Sequence, residues 1–281
     1  EELVIPNIED LYQRERAKDE LPQSGSGRTI MTAEPKFVPE EAVEVKLDDG
    51  VSFSVRLIDC VGYMVPGAVG QYEDLSPRMV MTPWFEHEIP MTEAAEIGTK
   101  KVITDHSTVG IVITTDGTVT DIPREDYQEA EERVIRELQE IGKPFVVLLN
   151  SAKPNSARAH SIAEEIEKRC QVKCFPVNCQ EIDEGQMSQL LQGLLYEFPV
   201  QELNLFLPHW VDALPSDHAI KCHLFQHIRT ETQDLQHIRD LEPCIEHLKS
   251  DEQIQSVTTR GINLGTGVAE VSLHLPRGLF Y

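Results

Sequence analysis

An aspartate that closes an apolar strand, a glycine three residues on and a threonine in a polar loop upstream are residue types that can hold a magnesium–nucleotide complex. Here they are Asp59 and Gly62, which frame DCVG at the end of VRLIDCVG, and Thr32 within TIMTAEP at 29–35. A carboxylate at a rigid strand end sets a fixed charge beside a hard cation, which takes oxygen ligands. Glycine has no Cβ, so its N–H can approach a phosphate oxygen closely. A threonine hydroxyl can ligate magnesium while its N–H meets a γ-phosphate. Thr32 and Asp59 are therefore the expected catalytic pair and the expected Mg²⁺ site, with Asp59 acting through water. Thr32, Asp59, Gly62 and Asn150 form the expected nucleotide-binding set. A lone DxxG recurs by chance, and the plain alternatives are a strand-end capping aspartate and a loop threonine.

The elements around these residues raise the reading above chance. Two alternating runs, 42–47 and 51–59, joined by the DDG turn at 48–50, predict a hairpin that delivers Asp59 to a strand end. Residues 9–31 read as a polar loop, and 64–92 as a long irregular segment of the kind that is usually functional. A helix over TEAAEIGTKKVITD then precedes a strand at 107–115, a helix at 125–141, a strand at 144–150, a helix near 156–170, a strand at 172–178 and a helix near 185–197. Strands alternating with helices predict an α/β fold, a mostly parallel sheet with helices on both faces, whose ligands sit at the carboxyl ends of strands. Loop threonine, hairpin and DxxG follow the order of the two switches of a G-domain-like P-loop NTPase.

The guanine-reading NKxD motif falls on Asn150-Ser151-Ala152-Lys153 and lacks its acid. Guanine offers N–H donors that an aspartate accepts, and Lys153 has only donors, so adenine or a site tolerant of either base is expected. The phosphate loop GxxxxGK[ST] occurs nowhere in the chain. EELVIPNI reads as an element already under way at Glu1, so this loop is expected upstream, and the chain as given is expected to bind nucleotide poorly. From about residue 203 the composition shifts to LNLFLPHW, helical segments over 217–249, and GINLGTGVAEVSLHLP. Residues 1–202 are thus expected to form the nucleotide domain and 203–281 the start of a second, α+β domain, with Gly261, Gly265 and Gly267 as turn glycines.

Forty-eight acidic against 25 basic residues give a formal charge of −23, which repels phosphate backbones and argues against nucleic-acid binding. No run approaches the ~18 apolar residues of a membrane-spanning helix. The cysteines at 60, 170, 174, 179, 222 and 244 are scattered, without paired CxxC spacing, and read as reduced thiols. Cys222, His223 and His227, one helical turn apart, read as a solvated face rather than a metal site.

The segments DELPQSGSGRTIMTAEPKFVPEEAV, VRLIDCVGYMVPGAVGQYED, EAAEIGTKKVITDHSTVGIVITTDGT, EAEERVIRELQEIGKPFVVLLNS and LYEFPV strongly resemble the stage IV sporulation protein A family. GINLGTGVAEVSL carries the likeness more weakly toward the end. The resemblance implies an ATPase derived from the translation-factor class of GTPases, which uses ATP and Mg²⁺ to assemble a static homopolymer, the basement layer of the spore coat. It further implies a place in the mother-cell cytoplasm on the outer forespore surface, held by a small amphipathic membrane peptide through a C-terminal region beyond this chain, and the recruitment of other coat proteins. Asp59 matches the family's magnesium-associated aspartate and Thr32 the first of two adjacent sensor threonines. The second position departs, being Ala33. The other reading is a regulatory GTPase that binds an effector such as the ribosome, and a third is a scaffold without nucleotide.

Overall fold

Short β-branched runs bounded by turn residues alternate with amphipathic helices along most of the chain, and this alternation builds its architecture in a computed structural model. The structure describes residues 14–15, 35–46, 52–73, 76–263, 266–276 and 278. Thr32, Ala33 and nearly all of the polar loop 9–31 lie outside these residues. Contacts divide the chain into two units, Glu1–Gln192 and Gly193–Tyr281.

In the first unit β1 (Lys36–Lys46) pairs antiparallel with β2 (Ser52–Asp59), and the register slips between Val38 and Val43. Lys36 lies opposite Asp59, so the strand-end aspartate is held by the last rung of the ladder. The irregular segment that follows is pinned by two small ribbons. β3 (Tyr72–Glu73) pairs with β4 (Ser76–Pro77), and β5 (Met79–Val80) with β6 (Ile89–Pro90).

The helix α1 (Met91–Lys101) starts after Pro90, with Glu93 in its first turn and Lys100 and Lys101 in its last, as the helix dipole favours. It widens into a π-helical turn over Val102–His106, closed by Ser107 N–H donating to Val102 O at 2.9 Å. The expected helix over 92–105 is thus one continuous element with a change of pitch.

Three parallel strands, β7 (Gly110–Thr115), β8 (Phe145–Asn150) and β9 (Cys174–Val177), run side by side in that order. Between β7 and β8 lies α2 (Arg124–Ile141), which Gly142 ends in the left-handed region at φ 70°. Between β8 and β9 lies α3 (Ala157–Cys170), whose first turn is capped by Ser156 Oγ accepting from Ala159 N–H at 3.2 Å.

After β9 comes α4 (Glu184–Tyr196). Val147 and Leu149 pack toward Ile135 and Leu138 of α2 and Ala159, Ala163 and Ile166 of α3, while Leu148 and Val177 pack toward Leu190 of α4. Helices therefore cover both faces of β8, whose five residues Phe145–Leu149 are all buried. This is the α/β arrangement with a parallel sheet that the strand–helix alternation predicts.

The buried charged groups Asp116, Arg124 and Glu131 of this unit are paired. Glu131 (4% exposed) on α2 holds Arg124 through contacts of 2.7 and 2.9 Å and Arg169 at 2.7 Å, and Arg124 also donates to Thr114 Oγ1 at 3.1 Å. Arg124 thereby ties the start of α2 to the carboxyl end of β7. Burial beside Glu167 and Glu131 pushes the Cys174 thiol up to about 12, so it stays a neutral packing group.

The second unit is a mixed sheet, β10 (Glu202–Phe206) with the helices α5 (His209–Asp212), α6 (Ala219–Thr232) and α7 (Leu241–Leu248), then β11 (Ser256–Asn263) and β12 (Val268–His274). β12 lies centrally, parallel to β10 and antiparallel to β11. Val271 and Leu273 pack against Leu224, Cys244 and Leu248. His223 joins Asp251 at 2.7 Å, tying α6 to the loop before β11. Gly267 has φ 67°, and a Cβ there would lie 2.7 Å from Pro199 O, so the β11–β12 turn requires glycine.

Candidate nucleotide site

Asp59 is the last residue of β2 and is exposed. Three residues on, Gly62 sits at φ 82° and donates its N–H to Thr99 Oγ1 of α1 at 3.0 Å. Thr99 is 2% exposed, so this hydroxyl is presented from inside the unit. Burial raises the pKa of the neighbouring Cys60 thiol, against a contact with Thr99 that lowers it. Tyr63 continues the segment toward α2, with its hydroxyl on Glu137 and the Arg133 guanidinium 4.0 Å from its ring centre. Burial, then the hydrogen bond to Glu137, raises the Tyr63 hydroxyl above its ordinary range.

Asn150 closes β8, where its Oδ1 accepts the Cys179 N–H at 3.0 Å. It thus links the loop after β8 to the loop after β9. Among the described strands, no hydrogen-bonded ladder joins the hairpin that carries Asp59 to the parallel sheet that carries Asn150.

The carboxyl end of the parallel sheet holds a polar cluster centred on Asp116, a residue that spacing did not single out. Asp116, 1% exposed, follows β7 directly. Its Oδ2 accepts from Ser151 Oγ at 2.7 Å, and its Oδ1 accepts from Thr118 N–H at 3.0 Å and Thr118 Oγ1 at 2.6 Å. Ser151 Oγ in turn accepts Lys153 N–H at 3.0 Å, and Thr118 Oγ1 accepts Ala152 N–H at 2.9 Å. Arg158 donates to Asp116 O at 3.3 Å.

Burial pushes the Asp116 carboxyl up, but the two hydroxyls, the Thr118 N–H and the Arg158 charge outweigh it and hold it below its ordinary value. Asp116 is therefore an ionised acceptor at the place where open parallel sheets bind ligands. The signal in the sequence was TTDGT, an aspartate immediately after an apolar strand, the same signal that marked Asp59.

Residues 1–199 match the family model for the ATPase domain of stage IV sporulation protein A, and residues 200–281 that for its middle domain. The chain belongs to the stage IV sporulation protein A family. It is 45% identical over 278 residues to stage IV sporulation protein A of Bacillus subtilis strain 168, covering 99% of this chain and 56% of the relative. To the protein of that name from Bacillus anthracis it is 44% identical over 278 residues, with 99% and 56% covered. Against that of Clostridioides difficile strain 630 it is 44% identical over 281 residues, with 100% and 57% covered. The chain thus spans about half the length of these curated relatives of the stage IV sporulation protein A family. No solved structure matches.

Proposed function

We propose that this chain is the nucleotide-hydrolysing and adjoining part of a sporulation morphogenetic ATPase, which hydrolyses ATP to ADP and phosphate and assembles into the basement layer of the spore coat around the forespore. The match of residues 1–199 to the ATPase domain of stage IV sporulation protein A carries this reading. We assign nucleotide chemistry to residues 1–202 and the middle domain to residues 203–281, in keeping with the family models matched by 1–199 and 200–281.

Asp59 fits Mg²⁺ by donor type, being an exposed carboxylate at a strand end, and would act on the ion through a bound water. Thr32 is assigned the metal and the γ-phosphate, Gly62 the γ-phosphate through its N–H, and Asn150 the loops that frame the base. When bound, Mg²⁺ supplies neutralisation of charge on the β- and γ-phosphates. Ala33 leaves Thr32 as the single hydroxyl at the sensor pair.

The assigned partners are further copies of the protein, a small amphipathic membrane-anchoring peptide and other coat proteins, at the mother-cell face of the forespore. Nucleic acid is not among them, in keeping with the charge of −23. A regulatory GTPase is disfavoured by Lys153 at the position of the guanine-reading acid.

Turnover of ATP and GTP with Mg²⁺, with light scattering for assembly, tests the proposal on the full-length protein. The expected result is ATP turnover with assembly, both lost in Asp59→Ala. GTP turnover without assembly would replace the proposal with the regulatory GTPase, and no turnover with either nucleotide would leave a scaffold.

A further inference from the structure

Two consecutive residues, Gly62 and Tyr63, are held by side chains of two helices. Gly62 N–H donates to Thr99 Oγ1 on α1, and the Tyr63 hydroxyl donates to Glu137 Oε2 on α2. The Arg133 guanidinium lies over the Tyr63 ring, 4.0 Å from its centre, and donates to Glu96 Oε2 of α1 at 2.9 Å and to Glu137 Oε1 at 3.4 Å. Glu96 and Thr99 stand one turn apart on α1, as do Arg133 and Glu137 on α2, so each helix offers both groups from one face. α1 therefore meets the segment twice, at Gly62 directly and at Tyr63 through Arg133.

Packing does not enclose this segment. A Cβ built on Gly62 meets nothing within 4 Å, and Tyr63 is only part-buried. The groups that hold Tyr63 lie at the surface, with the side chains of Arg133, Glu96 and Glu137 exposed by 46%, 37% and 24%. Such contacts are weak singly. Their release also strands no charge, because Arg133 keeps both carboxylates when the ring leaves it. Tyr63 is thus a latch that opens at low cost.

We infer that Tyr63 and Arg133 are positioning residues for the γ-phosphate: latched, they hold the Gly62 N–H on Thr99, and a γ-phosphate must open the latch to take that proton. The inference rests on the assignment of the γ-phosphate to Gly62 and adds what opposes it. Thr99 is 2% exposed, so the Gly62 N–H points into the unit, whereas Asp59 is exposed and sets an ion beside it at the surface. Reaching a phosphate there takes the main chain off α1, and Tyr63, the next residue, is anchored to α2. The affinity for a triphosphate therefore carries the cost of opening, and the affinity for a diphosphate does not.

The test measures binding of a non-hydrolysable ATP analogue and of ADP, each with Mg²⁺, to the full-length protein by calorimetric titration. Tyr63→Phe removes the bond to Glu137 and keeps the ring, while Arg133→Met removes the charge from the ring and keeps an unbranched stem. Each is expected to raise the affinity for the analogue relative to ADP by about threefold or more, the size of one such contact. A merely structural role changes both affinities alike and leaves the ratio in place, which overturns the inference. A lower ratio in Tyr63→Phe places the hydroxyl on the nucleotide and overturns it as well. Failure of the unaltered protein to bind either ligand overturns the nucleotide reading, and the latch with it.

Discussion

The backbone N–H of Gly62 is held by the hydroxyl of Thr99, 3.0 Å away and 37 residues further along the chain. The nucleotide reading assigns that same N–H to a γ-phosphate, and one proton cannot serve both acceptors well. Thr99→Ala removes the competitor at a cost of about 1 kcal/mol in stability. The full-length variant is expected to favour a non-hydrolysable ATP analogue over ADP several-fold more than the unaltered protein does, read by calorimetric titration of both ligands. Equal changes in the two affinities would limit Thr99 to a structural part.

The buried Arg124–Glu131 pair, whose carboxylate also meets the exposed Arg169, predicts an asymmetric mutational series. Glu131→Ala leaves Arg124, 7% exposed, without its carboxylate, and should destabilise the chain by about 3–5 kcal/mol in urea unfolding. Arg124→Met combined with Glu131→Leu removes both buried charges and should cost less than Glu131→Ala alone. A double variant weaker than the single one would show that the ion pair itself, rather than the unpaired charge, sets the cost.

Asp116 supplies a pH dependence with a definite sign. Its folded pKa is depressed below the unfolded value of about 3.9. Its contribution is therefore fully present above that value and is lost as pH falls through the lower folded pKa. Asp116→Asn should be less stable than the unaltered chain by roughly 1–3 kcal/mol at neutral pH, and the gap should close as pH drops below about 4. Urea midpoints across that range measure it. A gap independent of pH would mean that the carboxylate charge contributes nothing.

Gly267 in the second unit has no room for a side chain. Gly267→Ala places a Cβ against Pro199 O at a φ of 67°, and is expected to lose about 1–3 kcal/mol, seen as a lower thermal midpoint. Gly142, also at positive φ but with nothing within 4 Å of a built Cβ, should tolerate alanine with a smaller loss.

Much of the first unit is written locally. Phe145–Leu149 is continuously apolar because both its faces are covered, and α2 and α3 carry their own stops in Gly142 and Gln171. Asp59 and Gly62 were legible as a strand-end pair for the same reason, since a strand and its terminating residues are neighbours in the chain. Thr32 was equally legible as a residue type, but it lies outside the described residues. The π-helical pitch of Val102–His106 was not legible, because a change from i−4 to i−5 bonding leaves no mark on hydrophobic periodicity.

The sequence by itself determined the strand–helix alternation, the likeness to stage IV sporulation protein A and the loss of the guanine-reading acid at Lys153, all properties of residues adjacent in the chain. Only the tertiary structure decided that Asp116 meets Ser151 from 35 residues away and that Gly62 meets Thr99 from 37. Apolar burial is summed over faces and survives as a pattern, whereas a hydrogen bond depends on the registry of two distant elements to within a few tenths of an ångström. No local pattern carries that registry; for Asp116 and Ser151 the pairing of β7 beside β8 sets it.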